Sequence, residues 1–429
     1  MLVEYPLPDL PPPPHDRLAV LRLPDFRRYL IGGALAAAGG QMTGVAAGWE
    51  LYERTNMPIA LGLLGLMGAL PVIALALPAG TVADRFNRKT VCLWAELCAS
   101  LSLALLACVS YFRLPLTCFY FLFLLLGVCG AFLGPALGAL VANIVGDVLL
   151  ADATKWSSIR WQLASTLGPV LGGFLIHRYG AFLIYALDAI GRLVFCVLLI
   201  GTSPKPHERS GEKLNWGQVA AGWHFVRGNP LIISTITLDM VAVLFGGATA
   251  MLPIYAHDIL KVGAEGLGPL RAAPAVGAIF MSIYLTSRPP FTNAGRSLLF
   301  AVGGFGLATI IFGVSHLYWL SLMALAALGA LDSISVVIRH TILQVLTPDE
   351  MRGRVNAVNS VFIGTSNEIG ELESGVVAQL LGPIFTVAGG GAITILIVVF
   401  VAMQWPVVRR IKRLEDLRVV VDNQVDLTQ

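Results

Sequence analysis

The chain has 429 residues, of which 56% are hydrophobic and only 13% charged; its mean hydropathy is +0.76 and its net charge +3. Soluble domains carry about 25% charged residues, so this composition excludes an ordinary soluble enzyme, a disordered chain and a nucleic-acid binder. Most of the chain is expected to lie in lipid.

A helix needs about 20 apolar residues to cross a hydrocarbon core about 30 Å thick. Twelve stretches qualify: 29–52, 60–80, 90–112, 115–145, 157–177, 181–201, 230–256, 266–286, 297–315, 317–346, 355–381 and 384–407. The opening MLVEYPLPDLPPPP is Pro-rich and lacks the basic-then-apolar order of a secretion signal, so residues 1–28 are expected to form a short tail. The expected architecture is an all-α membrane protein. It has a six-helix half at 29–201, a linker at 202–229, a second six-helix half at 230–407 and a tail at 408–429. In the linker, Trp216, Val219, Trp223 and Val226 share one helical face, which predicts a helix lying on the membrane surface. The stretch RLAVLRLPDFRRYL before the first span reads as its counterpart. Six cysteines lie in apolar stretches without metal-like spacing and read as packing thiols.

Basic residues fix the expected orientation. With the N-terminus in the cytoplasm, inner segments hold 21 of the 29 Lys and Arg residues and outer segments hold 4. That bias predicts both termini inside. The halves also repeat. A shift of 202 residues places Asp147 on Asp349, Ser158 on Ser360, Gly168 on Gly370 and Gly173 on Gly375. Internal repeats of this kind mark secondary transporters, with the substrate site between the repeats near the midplane.

Between the second and third stretches the chain reads Gly80-Thr-Val-Ala-Asp84-Arg85-Phe-Asn87-Arg88-Lys89. Gly80 would permit close helix approach, Asp84 would meet a helix N-terminus or its arginine neighbours, and Arg85, Arg88 and Lys89 would face anionic headgroups. Asn87, which tolerates a positive φ, stands where a glycine is usual. This segment resembles the loop signature of the major facilitator superfamily, in which it acts as a conformational switch. Gly168-Pro169-Val-Leu-Gly172-Gly173 is similar to the superfamily's antiporter motif. The segment TPDEMRGRVNAVNSVFIGTSNEIGELESG at 347–375 resembles the enterobactin-exporter-like branch. The resemblance implies two six-helix halves, with the first, fourth, seventh and tenth spans lining a cavity. Gly40, Gly44 and Gly48, and Gly130, Gly134 and Gly138, form matched small-residue ladders on two of those spans and are expected to be close-packing faces.

Charges inside a membrane are costly and mark functional sites by default. Candidates for the substrate and proton pathway are Gln41, Arg160, Gln162, Asp239, Asp332, Arg339, Glu368 and Glu371. Asp332 and Arg339 share a face of the tenth span, seven residues apart, so about 10.5 Å of rise keeps them from pairing directly. Arg339 is expected to pair with Glu368. Asp188 and Arg192 read as a structural i, i+4 pair, and Glu96 has no predicted partner. The expected function is export of a siderophore-like or amphipathic small molecule by alternating access, with protons as a candidate coupling ion. Import of a small hydrophilic nutrient is the alternative. No Walker motif, GxSxG or HExxH supports an enzyme, and no cofactor, metal or nucleic-acid partner is expected. The predicted partners are the substrate, protons and membrane lipid, with the chain a monomer in the inner membrane.

Overall fold

The computed structural model describes residues 18–204, 216–289 and 291–412. All regular structure among them is helical. After a short α1 (Ala19–Arg22) come α2 (Pro24–Thr55), α3 (Pro58–Arg85), α4 (Arg88–Tyr111), α5 (Leu116–Val145), α6 (Asp147–Tyr179) and α7 (Ala181–Ile200). Then follow α8 (Trp216–Gly228), α9 (Pro230–Leu244), α10 (Leu252–Ile254) and a π-turn at Tyr255–Ile259. The last helices are α11 (Gly263–Thr286), α12 (Ala294–Val314), α13 (Tyr318–Leu346), α14 (Asp349–Leu381), α15 (Pro383–Gln404) and α16 (Pro406–Arg410).

The boundaries follow local chemistry. Pro24, Pro58, Pro230 and Pro383 start helices, where a missing N–H costs nothing. Asn229 caps α9 by accepting from Leu231 and Ile232 N–H. Gly180 and Gly382 turn the chain at φ +85° and +88°, a region that side chains rarely enter. These two glycines are also 202 residues apart.

Among the described residues, nine helices are long and apolar enough to span a membrane. That is fewer than the twelve stretches counted in the sequence. At 33 residues each, α6 and α14 are long enough but too polar, and α9 stops after 15 residues where the chain breaks near Gly246 and Gly247. Large apolar side chains such as Phe300, Trp319, Met323 and Leu380 point outward, as lipid contact requires.

Packing follows one pattern twice. In the first set, α2 packs on α6 and α7, α3 on α5, and α4 on α5 and α7. In the second, α9 packs on α14 and α15, α11 on α13, and α12 on α13 and α15. Across the sets, α3 meets α14 and α6 meets α11. The repeat reaches single glycines. Gly168 seats α6 on Gln41 of α2, and Gly370 seats α14 on Leu244 of α9. Gly173 lies against Gly268 of α11, and Gly375 against Gly62 of α3.

Several expectations change. The expected helix is present as α8; Val226 is buried and Trp223, still partly exposed, stacks on Phe362 of α14 at 5.3 Å, so at least this part of the face also contacts protein. Its expected counterpart is only the four-residue α1. Cys92, Cys129 and Cys196 are buried, whereas Cys98, Cys108 and Cys118 are exposed on the outer surface. Arg192 pairs with Asp188 at 3.1 Å and also with Glu96 at 3.0 Å, which gives Glu96 its partner. Thr43 of α2 donates to the far oxygen of Asp188. A second buried network joins Glu50 to Arg54, Ser110 and Tyr185.

The loop between α3 and α4 is built differently from its prediction. Asn87 has φ −62° and caps α4 by accepting from Lys89 N–H, so no left-handed residue is needed. Arg88 donates to Asn143 and to the Ala139 carbonyl on α5, and Lys89 donates to the Ile200 and Thr202 carbonyls at the end of α7. Both cations are thus engaged by protein groups: Arg88 reaches into the last turns of α5, and Lys89 satisfies the Ile200 carbonyl, which lacks an intrahelical partner at the end of α7. A Cβ on Gly80 would find nothing within 4 Å, so no helix approaches there. Lys89→Ala should lower detergent melting by an amount worth about 0.5–1.5 kcal/mol per lost hydrogen bond.

Candidate functional site

The bundle has two ends. The basic end holds the turns with Arg85, Arg88, Lys89 and Arg288 and the starts of α2, α9 and α14; the far end holds the α2–α3, α6–α7 and α14–α15 turns. The two sets touch closely toward the far end. A Cβ on Gly375 would stand 2.9 Å from Gly62 Cα, and one on Gly173 2.9 Å from Gly268 Cα. Gly48 approaches Pro253, and Gly65 is covered by the Glu371 side chain. Polar contacts close the same end. Tyr52 donates to Asp258, His257 meets Asp258 at 2.6 Å, and His177 meets Glu265 at 3.3 Å. Trp49 lies 5.5 Å from the His257 ring. Partial burial works against the Asp258 charge, but hydrogen bonds from Tyr52 and His257 outweigh it and hold this carboxyl below its usual value.

Beneath that closure runs a chain of cavities. The first, of 230 Å³, lies in the second set nearest the basic end, among Asp239, Asp332, Arg339, His340 and Asn359. The second, of 360 Å³, shares Asp332 and Asn367 with it and reaches Gln162 of α6. The third, of 240 Å³, shares Glu371 with the second and ends beneath the far-end closure, among Gly44, Gly48, Gly65, Phe123 and Arg271. Asp332 and Glu371 therefore stand at the two junctions.

Most predicted pathway residues gather here, though their partners differ. The expected pairing of Arg339 with Glu368 falls outside the described side chains. Arg339 pairs with Asp239 of α9, a partner the sequence did not suggest. The reason is position. Asp239 and Arg339 line the same cavity from facing helices, and one guanidinium meets one carboxylate there. Arg339 Nε remains buried without a hydrogen-bond partner among the described residues. The Glu368 side chain lies outside the described residues. Among those residues Asp332 takes no hydrogen bond or ion pair, and it faces two cavities. Gln162 donates to the Ala275 carbonyl at 3.2 Å, crossing from α6 to α11.

Gln41 and Arg160 line none of these cavities. Gln41 is the packing surface for Gly168. Arg160 lies 5.2 Å from the Tyr29 ring centroid and against Gly33, within the first set. Of the motif at 168–173, Gly168 and Gly172 face α2 while Gly173 faces α11; the carbonyl of Pro169 lies beside Gly268. The motif is thus the seam where α6 holds both sets. The ladder on α5 departs from expectation: a Cβ on Gly130, Gly134 or Gly138 would find nothing within 4 Å. Arg271, Tyr52 and Asp258 were not singled out from the sequence. Arg271 carries the intramembrane-charge signal and could have been. Tyr52 and Asp258 are 206 residues apart, with no local pattern linking them.

Residues 16–423 match the family described as transmembrane secretion effector. The chain belongs to this family. Its relatives place it in the major facilitator superfamily. It is 25% identical over 370 residues to the enterobactin exporter EntS of Escherichia coli O1:K1 / APEC, covering 86% of this chain and 88% of that one. EntS of Shigella boydii serotype 18 is similar to the same degree over the same shares. Among solved structures, a mutant of the nucleoside transporter NupG aligns with a TM-score of 0.71 at 10% identity, over 89% of this chain and 100% of that chain. The POT family transporter PepTSo aligns at 0.68 and 13% identity, over 90% and 98%. This transporter family member is a multi-pass membrane protein that moves small molecules, and it is not an enzyme.

Proposed function

We propose that the chain is an exporter of an amphipathic or siderophore-like small molecule, working by alternating access between two six-helix halves. The twelve helices are α2–α7 and α9 with α11–α15. The basic end lies in the cytoplasm with both termini, as the Lys and Arg bias requires. The observation that carries this reading is the chain of three cavities, which begins toward the basic end and stops beneath tight glycine contacts at the far end. Such a pathway waits for its substrate on the cytoplasmic side. Opening the far end requires α3 to part from α14 and α6 from α11, the two main seams between the sets. The 25% identity to an enterobactin exporter supports the export direction. The matched turn glycines, helix lengths and packing partners support two halves related by the 202-residue repeat.

Asp239, Asp332 and Arg339 together put two carboxylates beside one guanidinium. With Arg339 committed to Asp239, Asp332 is the group free to take up a proton and release it as the pathway alternates. Asp332→Asn should abolish acceleration by a pH gradient in proteoliposomes while leaving substrate exchange without a gradient. Unchanged gradient dependence would remove Asp332 from the coupling scheme. The function itself is tested by a deletion strain screened for compounds that accumulate. A compound found there should then be moved by the purified chain in liposomes, and inert liposomes would overturn the reading.

A further inference from the structure

The closed end of the pathway holds two opposite charges that do not neutralise each other. Arg271 of α11 and Glu371 of α14 both line the third cavity. Arg271 donates one bond, from Nη1 to the Thr249 carbonyl at 3.3 Å, and makes no ion pair among the described residues. Glu371 packs on Gly65 of α3 and, among the same residues, makes neither an ion pair nor a hydrogen bond. The two feel each other's charge, yet they stand beyond the reach of a direct salt bridge. Around them the wall is glycine and hydrocarbon: Gly44, Gly48, Leu64, Phe123 and Leu267.

An unpaired charge in such surroundings is expensive, and two that could cancel but are held apart cost more than a closed pair. A molecule carrying both complementary charges removes both costs at once. We propose that this cavity is a subsite for the zwitterionic, amino-acid-like group of the transported molecule. The carboxylate of that group accepts from the Arg271 guanidinium, whose planar fork matches it. Its ammonium donates to the Glu371 carboxylate. The hydrocarbon wall takes the apolar side chain. At 240 Å³ the cavity is below the about 300–1,000 Å³ of sites that enclose a whole drug-sized ligand. It therefore holds one end of the substrate, while the remainder lies in the second cavity past Glu371. The inference rests on the transport reading above and adds the chemical class of the group that enters first.

The test is binding, so it needs no flux. The purified full chain in detergent is melted with millimolar L-phenylalanine, with L-phenylalaninamide, which has only the ammonium, and with N-acetyl-L-phenylalanine, which has only the carboxylate. Phenylalanine should raise the melting temperature more than either analogue. Arg271→Gln should erase its advantage over the amide, and Glu371→Gln its advantage over the N-acetyl form. Arg271→Lys, which keeps the charge, should retain the ranking. Equal shifts for all three compounds with the wild-type chain, or no shift for any, would overturn the proposal whether or not the variants fold. An unchanged ranking in folded Arg271→Gln and Glu371→Gln would overturn it equally. Zwitterion binding without flux in liposomes would leave the subsite standing and count against the transport reading alone.

Discussion

Replacing Arg339 with alanine should destabilise the protein by about 3–5 kcal/mol, the usual consequence of stranding one member of a buried ion pair. Asp239 and Arg339 side chains are only 8% and 12% exposed, so the remaining carboxylate would find little water. On one side Leu238 and Ala242 belong to an apolar cluster with Leu298, Val302 and Ile338; on the other, Thr235, His340 and Asn359 line the same cavity but carry no permanent positive charge comparable to that of the lost guanidinium. Adding Asp239→Asn removes the stranded charge and should recover much of the loss. Adding Glu368→Ala to Arg339→Ala should recover none. Melting of the single-site variant and the two double-site variants in detergent checks both statements. Recovery with Glu368→Ala instead of Asp239→Asn would show that the pairing is wrong.

The second large effect is at the far-end seam. A Cβ on Gly375 would stand 2.9 Å from Gly62 Cα and 3.1 Å from the Pro58 carbonyl, so a leucine there cannot fit without moving α3 away from α14. Overpacking of this kind costs about 1–3 kcal/mol. Directed against one of two conformations, that shifts their ratio roughly 5- to 150-fold. Gly375→Leu should therefore deplete the state closed at the far end and cut transport by a similar factor. Thr249→Cys, which lines the second cavity, reports on it: an impermeant thiol reagent added from the far side should label it faster in the Gly375→Leu background. The native cysteines must first be replaced. Gly80→Leu is the control, because a side chain there enters open space in this conformation.

The elements legible in the sequence were those written in local chemistry. Apolar length marked the spans, and proline and glycine marked their ends. The 202-residue shift aligned Asp147 with Asp349, the residues that open α6 and α14, but the apolar stretches read there, 157–177 and 355–381, did not show that the two helices are equal in length. The polar character of α6 and α14 was harder to weigh. Their charged first turns are followed by apolar residues with further charges among them, Arg160 in α6 and Glu368, Glu371 and Glu373 in α14, and a sliding stretch of hydrophobicity merges all of these. Intramembrane charge pointed to Asp239, Asp332, Arg339 and Glu371, and all four line the cavities. Their pairings were not legible. Asp239 meets Arg339 across 100 positions of sequence, and only the packing of α9 near α13 decides that contact. The far-end latch of Tyr52, Asp258 and His257 depends on the same long-range packing. So does the use of Arg88 and Lys89, which the positive-inside pattern assigns to lipid but which helix carbonyls capture first.

The measurement that bears most directly on alternating access is a reversible cross-link across the far-end closure. His177 and Glu265 meet at 3.3 Å from α6 and α11, and their side chains are 59% and 53% exposed, so reagents can reach them. His177→Cys with Glu265→Cys, in a background without the six native cysteines, can be bridged by a short bifunctional thiosulfonate and released by reductant. Flux of the compound identified in the deletion screen should stop once the bridge forms and return on reduction, with either single cysteine unaffected. Undiminished flux through the bridged protein would mean that the far end need not open, and the alternating-access account would be wrong.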